Sequence, residues 1–303
     1  MILGLSPTIA IVTHPSSEQI QAAAFILKSG GLVAFPTETV YGLGADASNQ
    51  NAIARIYQVK NRPADHPLIV HISDASEVGH WAKEVTNYAL TLINEYWPGP
   101  MTLVLNRTEN TKNYLTGGQD TVALRIPSHP IALELLQEFS KLGGHGLAAP
   151  SANRFGAVSP TTAQAVNEEL ADFLGASDLI IDGGQSVVGV ESTIIDCTGP
   201  APVILRPGAI TREMIEKTTG LPVDLKTGSS PRVSGSQQKH YSPSATVLID
   251  GEPELGDGLI ALSSVTTPPG VIRLAAPETL EDYARELYFA LRRADELGIK
   301  TVR

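Results

Sequence analysis

Apolar and polar positions alternate along the first two thirds of the chain in a way that predicts helices and strands. Apolar residues recur at helical spacing between Ser17 and Lys28, and Gly30-Gly31 ends this helix. The apolar run at 32–35 then predicts a buried strand that stops at Pro36. By the same criteria we predict helices at 49–59, from the next strand to Tyr96, 129–140, 161–173 and 211–217, and strands at 68–72, 101–105, 121–126, 147–149, 179–182, 193–196 and 202–205.

The order of these elements is mixed rather than a strict alternation of strand and helix. It therefore predicts an α/β sheet that contains both parallel and antiparallel strands. The segment 226–246 has a different character, because it lacks acidic residues and is rich in Ser, Gly and Pro, which is typical of an extended linker.

Beyond this segment the pattern predicts a small second α/β unit. Apolar runs predict strands at 246–249, 258–262 and 271–274, and helical spacing predicts a helix from 278 to about 297. The predicted organisation is a large domain over 1–220, a linker over 221–245 and a small α/β domain over 246–303.

Composition narrows the class of protein. The 303 residues include 22 basic and 32 acidic side chains, a net charge of −10, and 42% are apolar, which is enough for a sizeable core. No apolar run approaches the ~20 residues that span a membrane, and the N-terminus lacks the pattern of a secretion signal. A single cysteine, Cys197, excludes an internal disulfide framework and a multi-cysteine zinc site. We expect a soluble, cytoplasmic protein, and the acidic balance argues against nonspecific coating of nucleic acid.

Polar residues follow the predicted strand at 32–35. The segment 35–44 combines Thr and Glu side chains with glycines, which suits either a ligand-binding loop or a polar turn that satisfies its own backbone. Gly42, Gly44 and Ala47 match the letters of a dinucleotide fingerprint, but the predicted helix starts too late for that site. We interpret these glycines as a tight loop beneath a pocket.

Cationic side chains stand at several predicted element ends. Lys60 and Arg62 can converge on a phosphate chain, although cations also complement the dipole at a helix C-terminus. His71 in an apolar strand suits a core histidine. Arg125, in another apolar strand, requires a carboxylate or phosphate partner, either internal or from a ligand. Hydroxyl side chains and Arg206 stand at the ends of further predicted strands. No Ser-His-Asp spacing is present. These residues therefore indicate a site that binds a ligand and stabilises charge, without a covalent intermediate.

Eight short motifs taken together resemble one family. In the order that this chain has them, they resemble the YrdC-like threonylcarbamoyl-AMP synthases, and the segment Lys239–Pro243 resembles the linker of the longer, two-domain form. The resemblance implies a twisted mixed β-sheet with flanking helices and a concave ligand cleft, plus a small Rossmann-like C-terminal domain. The motifs are PTETVYGLG at 36–44, KNRP at 60–63, HPL at 66–68, WPGPMT at 97–102, RIP at 125–127, PSAN at 150–153, EST at 191–193 and LRPG at 205–208.

The family activity implies the substrates. Such enzymes join L-threonine, bicarbonate or carbon dioxide, and ATP into threonylcarbamoyl-AMP with release of pyrophosphate, and partner proteins then modify adenosine 37 of tRNA. The resemblance implies that L-threonine is bound by Thr39, His71, Arg125, Ala149 and Ser192. It implies that ATP is bound by Lys60, Arg62, His66, Thr121, Ser151, Asn153, Ser159, Arg206 and Tyr241.

Within this assignment Lys60 and Arg62 are the predicted catalytic residues, because they would stabilise charge that builds on the phosphoryl oxygens. Mg²⁺ is expected on the pyrophosphate, without assigned protein ligands. Two alternatives stay open. One is an RNA-binding module that uses a local cationic patch, and the other is a carbamoyl-adenylating domain of the carbamoyltransferase type.

Overall fold

The computed structural model describes residues 9–225, 230–235 and 242–303. Most of its helices begin at a side-chain cap. Ser16 forms a capping box with Gln19 at the first helix, and Asn49, Thr162 and Thr211 cap later ones. The helices of the described residues are α1 (Ser17–Lys28), α2 (Gln50–Lys60), α3 (Val78–Trp81), α4 (Asn87–Tyr96), α5 (Asn113–Thr116), α6 (Pro130–Lys141), α7 (Ala163–Leu170), α8 (Arg212–Thr219) and α9 (Leu280–Glu296).

The strands form two sheets, a large one from β1 to β12 and a small one from β13 to β16. Their bounds are β1 (Ala10–Thr13), β2 (Val33–Phe35), β3 (Gly42–Asp46), β4 (Ile69–His71), β5 (Ala82–Lys83), β6 (Met101–Arg107), β7 (Thr121–Arg125), β8 (Leu147–Ala148), β9 (Leu179–Asp182), β10 (Thr193–Asp196), β11 (Val203–Arg206), β12 (Asp224–Leu225), β13 (Thr246–Val247), β14 (Gly258–Ile260), β15 (Ile272–Ala275) and β16 (Thr301–Val302).

The large sheet is mixed, as predicted. Its order is β1-β9-β2-β3-β8-β4-β7-β6-β10-β11-β12, and β5 pairs with β6 at one side. For example, β4 and β7 are parallel with His71 opposite Arg125, whereas β2 and β3 are antiparallel. The register of β4 and β7 places His71 and Arg125 side by side where these two neighbouring strands end.

Helices cover both faces of the large sheet. Val33 and Phe35 of β2 pack in a cluster with buried residues of α1 and α6. The alternate residues Leu32 and Ala34 belong to a larger cluster that includes residues of α2, α4 and α7. This division follows the two-residue period of a strand that is buried on both faces.

The small sheet has the order β13-β16-β14-β15, and its described pairings are all parallel. Helix α9 connects β15 to β16 and packs on this sheet. Its core cluster includes Val40 and Val158 of the larger part of the chain. The predicted α/β character of the C-terminal unit is confirmed, and its predicted boundary at residue 246 stays a prediction.

Two sequence predictions differ from the structure. The helical stretch before Tyr96 was predicted as continuous, but it consists of α3, the short strand β5 and α4. Gly42–Ala47 was interpreted as a tight loop, but Gly42–Asp46 is strand β3. A side chain at Gly44 would place its Cβ 2.8 Å from Phe35, so close packing rather than a turn requires this glycine.

The pattern also missed β1, β12 and β16, and β12 lies within the segment predicted as a linker. These strands have two to four residues each, too few to show a period. In the part of the chain that the structure describes, no helix is both long and apolar enough to cross a membrane.

Candidate active site

A small cavity lies where strand ends and loops of the large sheet meet. Its volume is about 30 Å³. The loop 36–41 between β2 and β3, the ends of β4, β7 and β11, and the residues after β8 and before β10 contribute to it. Its lining residues are Thr37, Thr39, Val40, Gly42, Arg62, Ile69, His71, Arg125, Ala149, Pro150, Ser151, Glu191, Ser192, Arg206 and Ser234.

All five residues predicted to bind L-threonine line this cavity. The structure therefore brings together groups that the sequence separates by more than 150 positions. They are Thr39, His71, Arg125, Ala149 and Ser192.

Arg125 is buried at 3% exposure and makes hydrogen bonds to three residues in two different segments. Its Nη2 donates to Oε1 of Glu38 at 2.6 Å, and its Nη1 donates to Oγ1 of Thr39 at 2.9 Å. Its Nε donates to the carbonyl of Gly99 at 3.2 Å. The carboxylate that a buried arginine requires is thus supplied internally by Glu38. Two of the five guanidinium N–H donors remain beyond these bonds, enough for a further carboxylate.

His71 lies in β4, buried beside Arg125. Its Nδ1 has no hydrogen-bond partner in the described structure. Burial, and secondly the positive charge of Arg125, lower the pKa of His71 to about 3. The ring is therefore neutral at physiological pH and offers polar atoms to a ligand rather than charge.

Of the residues predicted to bind ATP, Arg62, Ser151 and Arg206 line the cavity. Nη2 of Arg62 donates to the carbonyl of Pro67 at 3.1 Å and to Oγ of Ser234 at 3.0 Å. Arg206 donates through Nε and Nη2 to the carbonyl of Ser192, and through Nη1 to the carbonyl of Ser234 at 3.2 Å. Three guanidinium groups thus meet at one cavity in a protein of net charge −10.

Lys60, which is predicted to be catalytic, contacts the loop that carries Ser151. Its side chain is buried, and Nζ donates to the carbonyls of Ser151 and Asn153, both at 2.5 Å. Burial, and secondly the charge of Arg62, hold the pKa of Lys60 well below its usual range. Lys60 is not among the cavity-lining residues. The two hydrogen bonds of Lys60 fix the loop that carries Ser151 and Asn153.

Asn153 and Ser159 lie behind the cavity wall. Both are buried. Nδ2 of Asn153 donates to the carbonyls of Arg154 and Ala157, while its Oδ1 has no partner in the described structure. Oγ of Ser159 donates to Oε1 of Glu191 at 2.6 Å. Both residues therefore shape the loops around the cavity.

Three further predicted residues lie apart from the cavity or outside the described chain. The ring of His66 contacts Phe155 edge-on at 5.3 Å, and burial together with Arg62 lowers its pKa. Thr121 lines a separate small cavity beside Val233. Tyr241 lies outside the described residues.

Two carboxylates of the site were missed by the sequence analysis. Glu38 lies within the motif at 36–44, and Oε2 accepts from the backbone N–H of Ser128 at 3.0 Å in addition to the pair with Arg125. Glu191 lies in the motif at 191–193 and lines the cavity. A signal was present in the sequence, because both glutamates stand beside residues that were predicted to bind L-threonine.

The segment 230–235, which we call the strap, covers one side of the site. Val233 packs among Ile69, Val104 and Ile194, and Ser234 bonds to both Arg62 and Arg206. Outside the cavity, Gln119 exchanges two hydrogen bonds with the backbone of Arg232. Residues 230–235 of the predicted linker are therefore docked on the site.

The C-terminal unit supports the opposite side of the site. Val40 and Val158, the sequence neighbours of Thr39 and Ser159, pack into its core cluster. Nη1 of Arg292 on α9 donates to the carbonyl of Val158 at 3.1 Å and to Glu169 at 3.0 Å. The loop at Gly189 also lies against the backbone of Arg285 on α9. The C-terminal unit thus contacts three segments of the site, at Val40, at Val158 and at Gly189.

Comparison with known proteins identifies relatives over almost the whole chain. Residues 25–208 match the Sua5/YciO/YrdC family, described as telomere recombination, and residues 210–303 match the threonylcarbamoyl-AMP synthase C-terminal domain. The threonylcarbamoyl-AMP synthase of Pyrococcus abyssi is 41% identical over 304 residues, covering 94% of this chain and 87% of that protein. The Bacillus subtilis protein of the same name is 44% identical over 243 residues, covering 78% of this chain and 68% of that protein.

Solved structures agree with this relationship. The crystal structure of P. abyssi Sua5 complexed with L-threonine has a TM-score of 0.85 at 39% identity, covering 97% of this chain and 91% of that one. The structure of Escherichia coli YciO has a TM-score of 0.56 at 27% identity, covering 68% of this chain and 97% of that one. The chain therefore belongs to the Sua5/YciO/YrdC family, and it carries the threonylcarbamoyl-AMP synthase C-terminal domain as well.

Proposed function

We propose that this protein is an L-threonylcarbamoyl-AMP synthase, which forms threonylcarbamoyl-AMP and pyrophosphate from L-threonine, bicarbonate or carbon dioxide, and ATP. The observation that carries the proposal is the convergence of Arg62, Arg125 and Arg206 on one cavity. One arginine suits the carboxylate of an amino acid, and two suit a phosphate chain. The names of the curated relatives support the same activity.

The proposed roles combine what the family resemblance implies with the positions of the side chains around the cavity. Arg125, oriented by Glu38, binds the threonine carboxylate, and Thr39, His71 and Ser192 provide the remaining polar contacts. Arg62 and Arg206 bind the triphosphate together with Ser151. Lys60, in our proposal, acts by holding the Ser151 loop rather than by contacting the phosphates.

The chemical step places demands mainly on position and charge. An oxygen of threonine carbamate attacks the α-phosphorus of ATP, the bond to the β-phosphate oxygen breaks, and pyrophosphate leaves. Negative charge builds on the phosphoryl oxygens, and fixed guanidinium groups stabilise it without reorganisation. Arg62 and Arg206 are therefore the proposed stabilising groups.

The strap restricts access to these arginines. At about 30 Å³ the cavity is much smaller than threonine and ATP together, so we propose that side chains and the strap rearrange when substrates bind. Because Ser234 bonds to both Arg62 and Arg206, we propose that the triphosphate replaces Ser234 at these groups.

Mg²⁺ is expected to accompany the triphosphate. No group of three or more His, Cys, Asp and Glu that could hold a metal occurs among the residues that the structure describes. The donors present fit a Mg²⁺ ion held chiefly by substrate phosphates and water, which is its common mode in nucleotide sites. Such an ion would offset charge on the departing pyrophosphate.

The product is a mixed anhydride of a carbamate and a phosphate, and such compounds react readily with water. We propose that partner threonylcarbamoyl-transferase proteins receive it and modify adenosine 37 of tRNA. Direct binding of RNA by this chain is the alternative, and it predicts salt-dependent RNA binding without turnover of ATP.

The activity is tested by incubating the protein with ATP, bicarbonate and labelled threonine. Threonylcarbamoyl-AMP and pyrophosphate should appear in equal amounts, and omission of threonine should abolish both. Arg62→Ala should lower the rate by roughly 10²–10³-fold, the effect of removing one preorganised charge donor. Arg107→Ala is the matched control, because Arg107 pairs with the exposed Asp120 away from the cavity. An unchanged rate in Arg62→Ala would remove Arg62 from the mechanism.

A further inference from the structure

Glu191 has a place in the cavity that the roles above do not explain. It is the one acidic side chain among the described residues that line the cavity. The other nearby carboxylate, Glu38, is bound on both oxygens by Arg125 and by the N–H of Ser128. Glu191 therefore provides the negative charge that is available to a cationic group of a ligand in this cavity.

The surroundings of Glu191 hold its carboxylate in place. Oγ of Ser159 donates to Oε1 at 2.6 Å, and Nη1 of Arg206 lies 3.7 Å from Oε2. This second distance exceeds that of a hydrogen bond. The side chain is 12% exposed, and its neighbour Ser192 is a predicted threonine-binding residue. One oxygen is thus fixed by a hydrogen bond, whereas the other lies near the charge of Arg206, and the charge of Lys60 also acts on this carboxylate.

The chemistry of threonine supplies the need for such a group. Free threonine carries an α-ammonium group, which would lie among three guanidinium groups in this cavity. A cation in a desolvated site needs an anionic partner. Moreover, an ammonium group has no lone pair, so it must lose a proton before its nitrogen can attack carbon dioxide.

Other titratable groups of the cavity are poor candidates for accepting this proton. The arginines stay protonated at all physiological pH values. His71 is neutral, and burial makes its protonated form unfavourable. Lys60 donates to two carbonyls and does not line the cavity.

We propose that Glu191 is a catalytic residue that binds the α-ammonium group of threonine and accepts its proton. The inference rests on the proposed function. The N–H bond breaks, the proton goes to Oε2, and its electron pair stays on nitrogen. That pair forms the N–C bond to carbon dioxide, while one C=O π pair moves onto oxygen. The second proton on nitrogen passes to water, which leaves the carbamate anion, and Glu191 then returns its own proton to water.

The test compares the pH dependence of wild type and Glu191→Gln. Gln keeps the shape of the side chain and an acceptor for Ser159, but it cannot accept a proton. The variant should lose at least 10²-fold in kcat/KM for threonine at pH 7, within the range for a general base. Its rate should rise tenfold per pH unit toward the pKa of the amine, because only the free amine then reacts. Wild type should be nearly flat over the same range. Glu168→Gln, the same change on α7 outside the cavity, is the matched control and should behave as wild type.

Two further variants keep the proposal falsifiable if Glu191→Gln folds poorly. Glu191→Asp retains a carboxylate and should keep the flat profile at a reduced rate. Glu191→Ala should regain activity when formate is added, because formate can serve as the missing carboxylate. Parallel pH profiles in Glu191→Gln and wild type, or no rescue by formate, would overturn the proposal. So would a Glu191→Gln defect that excess Mg²⁺ removes, since that result would make Glu191 a metal ligand. If wild type itself forms no threonylcarbamoyl-AMP, the proposed function fails, and this outcome is distinct from all of the others.

Discussion

The buried pair between Glu38 and Arg125 allows a quantitative prediction. Their side chains are 5% and 4% exposed, and the two groups are 2.6 Å apart. Glu38→Ala leaves the guanidinium of Arg125 buried without its counter-charge and removes the acceptor of the Ser128 N–H. Breaking a buried pair from one side costs about 3–5 kcal/mol of the free energy of unfolding, mostly from the uncompensated charge.

Urea denaturation of the full chain measures this change. Asp120→Ala is the matched control, because Asp120 is 98% exposed and pairs with Arg107 at 3.3 Å. An exposed pair contributes at most about 1 kcal/mol, so the two variants should differ clearly. Glu38→Leu combined with Arg125→Met should recover most of the lost stability, because it removes both charges together. Equal losses in Glu38→Ala and Asp120→Ala would refute the assignment of Glu38 as the counter-charge of Arg125.

Two further predictions concern the pH dependence of stability and the support of the site by the C-terminal unit. Because folding holds the pKa of His71 near 3 while the unfolded chain protonates near 6.5, the free energy of unfolding should fall as the pH drops below 6.5. The contribution is up to about 1.4 kcal/mol per pH unit, and His71→Gln should show a flatter dependence in urea titrations from pH 4 to 8; equal slopes would contradict it. Gly189→Ala should destabilise the protein more than Gly184→Ala, because both have positive φ but only a Cβ at Gly189 meets backbone, 2.4 Å from α9. Equal thermal stability and equal activity of these two variants would show that α9 does not support the site.

The sequence alone was sufficient to predict the helices and strands with a clear apolar pattern, and the polar residues at their ends. The apolar run at 32–35 predicted a buried strand, and further apolar runs placed Arg125 and Arg206 in predicted strands or at their ends. Parallel pairing of β4 with β7 then places His71 opposite Arg125, although no local pattern shows which strands are neighbours. The set of residues predicted to bind threonine came from the family resemblance and not from the spacing of apolar residues.

Features that depend on tertiary contacts could not be predicted in the same way. Gly44 resembled a turn residue because the approach of Phe35 is invisible in the sequence. Lys60 resembled a phosphate ligand because a cation next to Arg62 suits that role, yet the fold places its Nζ against two carbonyls. Arg125 was correctly expected to need a partner, but the choice between a ligand and Glu38 required the structure.

The docked strap is a second feature of this kind. The composition of the strap indicates a linker. The sequence pattern does not show that Val233 packs in an apolar cluster or that Ser234 forms hydrogen bonds with two arginines. Such contacts depend on shape complementarity between segments that are more than 25 residues apart.

The most direct test of the proposed function follows the carbon of bicarbonate into the product. The protein is incubated with ATP, L-threonine and ¹³C-bicarbonate, and the adenylate is analysed by mass spectrometry alongside a pyrophosphate assay. The account predicts a threonylcarbamoyl-AMP that carries one ¹³C atom, formed in equal amount with pyrophosphate and absent without threonine. Release of pyrophosphate that does not depend on threonine, or an adenylate that contains no ¹³C, would contradict it.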